Sequence, residues 1–160
     1  GIPAIWRRRR RCRRRSLSGK SPNSTIELIA GAPTPEDYLR LRKAGGLSVF
    51  SLEAARKGAG GAVHSVLLKR GGETVGIGRI IGDGGCMFQI TDIVVLPDLQ
   101  GQGLGKRIMG ALMNWLEANA PEGAFVSLIA DLPADKLYEK FGFRDLGDAS
   151  IGMETRVGRR

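Results

Sequence analysis

One stretch in the second half of this 160-residue chain constrains its fold more than any other. An apolar run at 93–96 leads into the glycine-bearing segment 97–103, and a long amphipathic pattern follows at once. The apolar residues of that pattern recur at helical spacing, at Ile108, Met109, Leu112, Met113 and Leu116. A nearly continuous apolar run is typical of a strand buried on both faces. The stretch therefore predicts a central strand, a tight loop and a helix over 104–120.

The patterns around this unit predict an α+β fold. A helix begins at the cap Thr34-Pro35-Glu36-Asp37 and ends at Gly45. Further helices are predicted at 51–58 and 133–141. Strands are predicted at 25–30, 62–70, 73–81, 86–96, 124–130, 143–144 and 150–157. We therefore expect a mixed, mostly antiparallel central sheet of six to seven strands, flanked by about four helices.

Positive charge is concentrated at the beginning of the chain. The sequence holds 25 Lys and Arg against 16 Asp and Glu, for a formal net charge of +9. Eight arginines surround Cys12 over 7–15, and a segment rich in serine follows. Beyond residue 25 the basic and acidic residues are equal in number. Because like charges repel and few apolar side chains are present, 1–24 is predicted to be a disordered Arg-rich tail and linker, and 25–160 the folded domain.

Two interpretations of the tail stay open. It could be a nuclear-import signal or a nucleic-acid-binding arm, since arginine runs serve both purposes. It could equally be an extension without a role in the chemistry. We expect a cytoplasmic protein, nuclear only if 7–15 act as an import signal, and a nucleic acid as partner only if the tail is functional.

The composition excludes several kinds of site. His64 is the single histidine, and Cys12 and Cys86 are the only cysteines, so a zinc site built from Cys and His lacks ligands. A Ser-His-Asp or Cys-His hydrolase would have to use His64. No apolar run reaches the roughly 18 residues of a membrane span. We therefore expect neither a metal nor a membrane partner.

The glycine-bearing loop is a candidate anion site. The first amides of a helix have no partner within the helix, and glycines at 101, 103 and 105 let a ligand approach the backbone. A Walker loop is excluded, because Arg107 rather than Ser or Thr follows Lys106. A dinucleotide fingerprint is excluded as well, because Lys106 stands where its third glycine is needed. A phosphate or pyrophosphate bound at this helix start fits the pattern best.

Gln100, Gly103 and Gly105 in the glycine-bearing loop, and the segment 137–143, form two motifs that together resemble the GNAT family of N-acetyltransferases. The first is Gln-x-x-Gly-x-Gly, here Gln100, Gly103 and Gly105, which is similar to the acyl-CoA loop of that family. The second is Leu-Tyr-Glu-Lys-Phe-Gly-Phe over 137–143, similar to the family's helix-to-strand motif. The resemblance covers 26–157. It implies a GNAT-like fold with a splayed strand pair at the acyl-CoA site, and acetyl-CoA as co-substrate with no metal.

The resemblance also implies roles for particular residues. Tyr138 would be the general acid that protonates the coenzyme A thiolate, and Asp92 the general base, directly or through water. The alternative for Asp92 is a structural carboxylate paired with Arg79. Asp131 stands where family members often carry Asn near the pantetheine. The residues expected to contact the cofactor are Ile93, Val94, Val95, Gln100, Gly101, Gln102, Gly103, Leu104, Gly105, Lys106, Asp131 and Tyr138, with Val94 and Val95 acting through their main chain.

The expected function is direct transfer of acetyl from acetyl-CoA to a primary amine of a small molecule. The segment 91–106 is especially similar to glucosamine-phosphate acetyltransferases, so glucosamine-6-phosphate is an alternative acceptor, and a protein or peptide amine is another. A non-enzymatic alternative is nucleic-acid binding through the tail. The resemblance also allows a homodimer, because GNAT domains often pair through their last strands.

Overall fold

A computed structural model of the chain describes residues 25–148 and 150–157. The described residues form five strands, four α-helices and a 3-10 turn at Pro97–Leu99. In chain order these are β1 (Ile26–Ala30), α1 (Pro35–Ala44), α2 (Leu52–Gly58), β2 (His64–Arg70), β3 (Glu73–Gly82), β4 (Met87–Val95), α3 (Leu104–Asn119), β5 (Phe125–Leu128) and α4 (Asp135–Glu139). The predicted disordered tail and linker over 1–24 lies outside the described residues.

The strands form one sheet in the order β1-β2-β3-β4-β5. The first four strands are antiparallel neighbours, and β5 runs parallel to β4. The pairing of β4 with β5 ends at Ile90 and Leu128, although β4 continues to Val95. The two strands therefore separate, and the edge of β4 over 91–95 has no neighbouring strand in the described part of the chain.

A β-bulge lies in this separated part of β4. Ile77 pairs with Val94 and Arg79 pairs with Thr91, so that Gly78 alone faces the two residues Asp92 and Ile93. Asp92 has φ +57°, in the left-handed region that non-glycine residues rarely occupy. A bulge bends a strand and redirects a side chain. Because of the bulge, the side chain of Asp92 does not follow the regular alternation of its neighbours between the two faces of the sheet.

The sheet is covered on both faces. Because side chains alternate along a strand, Val66 and Leu68 of β2 pack with α3, whereas Leu67 packs with α1 and α2. The α3 face is closely packed, since a Cβ at Gly78 would lie 2.3 Å from Ile108 Cγ2. The α1 face is also close, since a Cβ at Gly45, which caps α1, would lie 2.7 Å from Val94 Cγ1.

The predicted α+β architecture is confirmed, with its mostly antiparallel sheet and four flanking helices, but the predicted strand count is wrong. Five strands are present in the described residues, not six to seven, because 143–144 and 150–157 form no strand. The Asp145 side chain accepts a hydrogen bond from the Gly147 amide and makes a local turn instead. The alternating apolar residues Ile151 and Met153 stay exposed, because this segment joins no sheet edge. None of the described helices is long and apolar enough to cross a membrane.

Candidate active site

A cleft of about 630 Å³ lies where β4 and β5 separate. One wall is the bulged segment of β4, including Asp92 and Ile93. The other walls come from the end of α1 with the following loop, the end of β5, α4 and the C-terminal segment. Besides the β4 residues, the polar side chains that line it are Arg42, Ser48, Asp131, Tyr138, Glu154 and Arg156. We call this space the acceptor cleft.

The glycine loop begins where β4 ends. Gly101 and Gly103 both have φ +76°, and nothing lies within 4 Å of a Cβ placed at either residue. Gly103 is the N-cap of α3 and supplies no side chain, so no side-chain cap bonds the first amides of α3. Gln100 Nε2 donates to the Val95 carbonyl at 3.0 Å, which fixes the loop against β4. This backbone fits the phosphate-binding role predicted for it, because a β-carbon at 101 or 103 would occupy the approach.

Tyr138 lines the acceptor cleft, and its helix packs against the helix that follows the glycine loop. It lies on α4, half-buried, and α4 packs on the first turn of α3, where Leu137 Cδ2 is 3.7 Å from a Cβ placed at Gly105. Burial raises the pKa of the Tyr138 phenol above its ordinary value, and the negative charge of Asp131 raises it further. The hydroxyl therefore stays protonated at neutral pH and is able to donate a proton.

Asp92 lies at the centre of a buried ion-pair cluster. Its Oδ2 accepts from Arg79 Nε at 2.7 Å and from the Tyr38 hydroxyl at 3.2 Å, and its Oδ1 accepts from Arg42 Nη1. The Asp92 side chain is only 2% exposed, and the two arginine side chains are 8% and 9% exposed. The pairing with Arg79 that the sequence offered as the alternative is therefore present, with a second arginine added.

The arginines of this cluster have further partners. Arg79 Nη1 donates to the Gly58 carbonyl at 2.8 Å, and Arg42 Nε donates to the Ser48 carbonyl at 2.8 Å. Arg42 also lies over the Phe50 ring, 4.5 Å from its centroid. Two guanidinium charges thus meet one carboxylate, and the surplus charge is offset by carbonyl dipoles and aromatic faces. Burial and the negative charge of Asp92 raise the pKa of Tyr38, so its hydroxyl stays a donor.

The structure gathers only some of the predicted site residues. Asp92, Ile93, Asp131 and Tyr138 line the acceptor cleft. The loop over 100–106 does not line the cleft. It lies at the other end of the edge of β4 that is not paired with β5. The side chains of Val94 and Val95, which the resemblance expects to act through their main chain, are buried in the two cores, and so is the side chain of Leu104. Lys106 is exposed at the start of α3.

Sequence reasoning missed the acceptor side of the cleft. Tyr38 and Arg42 were not identified, although they stand four residues apart on the buried face of α1, where an arginine needs a buried partner. Glu154 and Arg156 line the cleft from the C-terminal segment, and Arg156 Nη2 donates to Ser48 Oγ at 3.2 Å. No local pattern could have indicated that contact, which spans 108 positions.

The remaining candidates lie elsewhere. His64 stacks on Trp115 with ring centroids 4.9 Å apart, and Cys86 is exposed in the turn before β4. Neither lines the acceptor cleft. Over 25–148 and 150–157, no group of three or more His, Cys, Asp or Glu side chains could hold a metal ion.

Three proteins and one family model describe what the chain is similar to. It is 37% identical over 79 residues to the uncharacterized N-acetyltransferase ycf52 of Porphyra purpurea, a match that covers 49% of this chain and 44% of that relative. The chain thus spans less than half the length of that curated relative. A protein of unknown function from meticillin-resistant Staphylococcus aureus, described as a "Probable Acetyltransferase", is 45% identical with a TM-score of 0.79, over 82% of this chain and 99% of that one.

The third comparison shows the fold alone. The crystal structure of glucosamine-6-phosphate N-acetyltransferase from Arabidopsis thaliana matches 82% of this chain and 99% of that one, with a TM-score of 0.58 and 18% identity. The family model of the acetyltransferase (GNAT) domain matches residues 41–153, most of the chain. That match contains the bulged strand, the glycine loop and Tyr138, and the chain therefore belongs to the GNAT family of N-acetyltransferases.

Proposed function

We propose that this enzyme transfers the acetyl group of acetyl-CoA directly to a primary amine of a small molecule. The observation that carries the proposal is the free edge of β4 over 91–95. One end of that edge forms a wall of the acceptor cleft, and the other end is joined by the Gln100 hydrogen bond to the glycine loop. An extended acyl-CoA can lie along such an edge, with its phosphates at one end and its thioester at the other.

The glycine loop would bind the pyrophosphate. No side-chain cap bonds the first amides of α3, and the dipole of this 16-residue helix favours an anion at its start. Lys106 adds an exposed positive charge in the first turn. Gln100 acts through its bond to Val95, because it holds the loop at a fixed distance from β4.

The edge of β4 would bind and polarise the thioester. Main-chain N–H groups that make no hydrogen bond to a neighbouring strand can donate to the thioester carbonyl oxygen as negative charge develops on it. The amides near Val94 and Val95 are the candidates, and the buried side chains of both valines keep this backbone in place. Ile93 and Asp131 would contact the acyl and pantetheine portions from the wall of the cleft.

Tyr138 would complete the reaction as general acid. The amine nitrogen attacks the thioester carbon, the C–N bond forms and the C–S bond breaks. The electron pair of that bond leaves on the sulfur, and the Tyr138 hydroxyl supplies the proton that makes a neutral thiol. The raised pKa of Tyr138 suits this role, because it keeps the proton available at neutral pH.

The acceptor cleft favours a small amine. Its volume of about 630 Å³ lies in the range of small-molecule sites, and its polar lining includes the carboxylates of Asp131 and Glu154. The amine must lose a proton, and Asp92 on the cleft wall is the base predicted from the sequence. Both of its oxygens already accept hydrogen bonds from Arg42, Arg79 and Tyr38, so the proton of the amine passes to water in the cleft. The pH dependence of Asp92→Asn tests this assignment, because only the loss of a base would shrink at high pH, where the amine is already neutral.

Glucosamine-6-phosphate is the second candidate acceptor, favoured by the similarity of the sequence over 91–106. A sugar phosphate requires a group of free cations. Both arginines that line the described part of the cleft have carboxylate partners, since Arg42 pairs with Asp92 and Arg156 lies 3.6 Å from Glu154. A peptide amine and nucleic-acid binding through the tail have no structural support in the described residues.

The decisive experiment measures thiol release from acetyl-CoA with a panel of amines. We expect turnover with small primary amines, and acetyl-CoA binding by calorimetry in the absence of any acceptor. The panel should include glucosamine-6-phosphate, a peptide and a plain diamine. A folded protein that neither binds acetyl-CoA nor releases thiol with any amine would contradict the proposed function.

A further inference from the structure

The buried cluster around Asp92 coincides with the point at which the backbone of β4 is irregular. Asp92 has a left-handed φ, and it is also one of the two residues opposite Gly78 in the bulge. A left-handed conformation is unfavourable for a residue other than glycine and persists when the surroundings hold it. The surroundings here are the three donors Arg42, Arg79 and Tyr38, all bonded to the carboxylate.

We infer that Arg42, Arg79 and Tyr38 are positioning residues, which hold Asp92 and thereby fix the main-chain amides after the bulge in the direction that the thioester requires. This inference rests on the proposed function. Asp92 acts through its backbone in this arrangement, since its carboxylate is occupied by the guanidinium groups. The role differs from that of a base, which would need a free oxygen directed at the acceptor amine.

The donors come from different elements, which makes the cluster a rigid connection. Arg79 comes from β3, beside the bulge, and also bonds the end of α2 through the Gly58 carbonyl. Arg42 and Tyr38 come from α1, and Arg42 also bonds the Ser48 carbonyl of the loop that lines the cleft. The bulge, both helices and the cleft wall are therefore fixed to one carboxylate, and a change at any donor should move the amides of β4.

Arg79→Gln is the sharpest test, because Arg79 does not line the acceptor cleft. The variant keeps the Arg42–Asp92 pair, so that no lone buried charge is left. We expect kcat to fall roughly 10- to 100-fold, as small displacements of catalytic groups do, while the acetyl-CoA KM stays within about twofold. Arg79→Lys, which keeps the charge and one donor, should recover part of the loss.

A matched control is Arg40→Gln. Arg40 also pairs with a carboxylate, at 2.6 Å from Asp37, and also bonds a β3 carbonyl, that of Thr74, but unlike those of Arg79 its partners in the described part of the chain do not include Asp92. We expect its kcat to match that of the wild type. If Arg79→Gln fails to fold, Tyr38→Phe replaces it, because it removes one donor to Asp92 and keeps both ion pairs.

The pH profile separates the possible roles. Positioning predicts that Asp92→Asn and Arg79→Gln both lose kcat by a constant factor at every pH, with Arg40→Gln unaffected. Wild-type kcat in folded Arg79→Gln would overturn the inference, and so would a loss in Asp92→Asn that disappears at high pH, which would establish a base. If the wild type itself neither binds nor uses acetyl-CoA, the proposed function is contradicted. If the wild type and Arg79→Gln are equally active, only the positioning inference is contradicted.

Discussion

The two sides of the site differ in how their parts are connected along the chain. The acyl-CoA side is one continuous segment over 91–106, in which a strand, a glycine loop and the start of a helix follow each other. The acceptor side brings together the end of α1, α4 and the C-terminal segment, and an ion pair between residues 50 positions apart holds it to β4. The first side depends on backbone conformation, and the second on side-chain contacts between distant segments. The two sides should therefore respond differently to substitution.

The largest expected effect lies at the residue that both sides share. Tyr138→Phe removes only the hydroxyl, so packing against α3 should be preserved. We expect kcat to fall about 100-fold with little change in acetyl-CoA affinity, because the thiolate loses its proton donor. The wild-type kcat should fall only when the pH exceeds the ordinary tyrosine pKa, since burial raises the pKa of Tyr138 and the acid form persists. Steady-state kinetics across pH with a poor amine, for which chemistry limits the rate, provides the measurement. Wild-type kcat in the variant would remove Tyr138 from the mechanism.

The next effect tests the packing that supports the bulge. Gly78→Ala places a methyl group 2.3 Å from Ile108 Cγ2 and 3.1 Å from Leu112 Cδ1 on the closely packed α3 face. We expect the free energy of unfolding to fall by about 2 kcal/mol, as for other overpacked cores. Chemical denaturation measures it. Gly60→Ala is the matched control, because nothing lies within 4 Å of its added Cβ. Equal stability of the two variants would contradict the close packing opposite the bulge.

Gly103→Val should weaken the acyl-CoA side alone. The side chain would stand in the approach to the α3 amides and would occupy a backbone with φ +76°. We expect acetyl-CoA affinity to fall roughly tenfold, the ~1.4 kcal/mol of about one lost hydrogen bond. Isothermal titration calorimetry measures the change. Gly84→Val imposes a similar backbone strain at φ +79° in a distant turn and should leave affinity unchanged. An unaltered Kd in folded Gly103→Val would show that the loop does not bind the cofactor.

The smallest effect concerns the attachment of α1 on the acceptor side. The Thr34 hydroxyl accepts from the Asp37 amide at 3.1 Å and caps this helix. Thr34→Ala should lower the free energy of unfolding by ~1 kcal/mol, and Thr34→Ser should restore most of it. Acetyl-CoA affinity should not change, because the cap bond joins Thr34 and Asp37 and involves no residue of the glycine loop. Thermal denaturation and calorimetry check both statements, and a fall in affinity would show that the two sides are not separable.

The contrast between the sides also explains what could be predicted from the sequence. The glycine loop and the helix after it were predicted correctly, because glycine spacing and helical periodicity are local signals. The α1 boundaries follow for the same reason, from the threonine cap and the glycine at 45. By contrast, only one partner of Asp92 was anticipated, Arg79 on the neighbouring strand. Arg42 approaches Asp92 only through the tertiary fold.

The strands that were predicted at the end of the chain, but do not form, have a related cause. The segment 150–157 alternates apolar and polar residues, which is the local pattern of a strand. Whether such a segment pairs depends on a sheet edge at the right distance, and a sequence pattern carries no information about that. In the structure its residues instead supply Glu154 and Arg156 to the cleft wall. The missed contacts of Asp92 and the wrongly predicted strands both depend on distant parts of the chain. The correct predictions depend on local patterns.

The close approach of Gly45 to Val94 has a practical consequence for redesign of the enzyme. Any side chain at 45 would press on β4, whose amides we propose as the groups that polarise the thioester, with its Cβ only 2.7 Å from Val94 Cγ1. Directed-evolution libraries for new amine specificity should therefore keep this glycine fixed and diversify 47–49, where side chains reach the cleft or the solvent. Variation would then alter which amines enter while the transfer chemistry stays as the starting enzyme performs it.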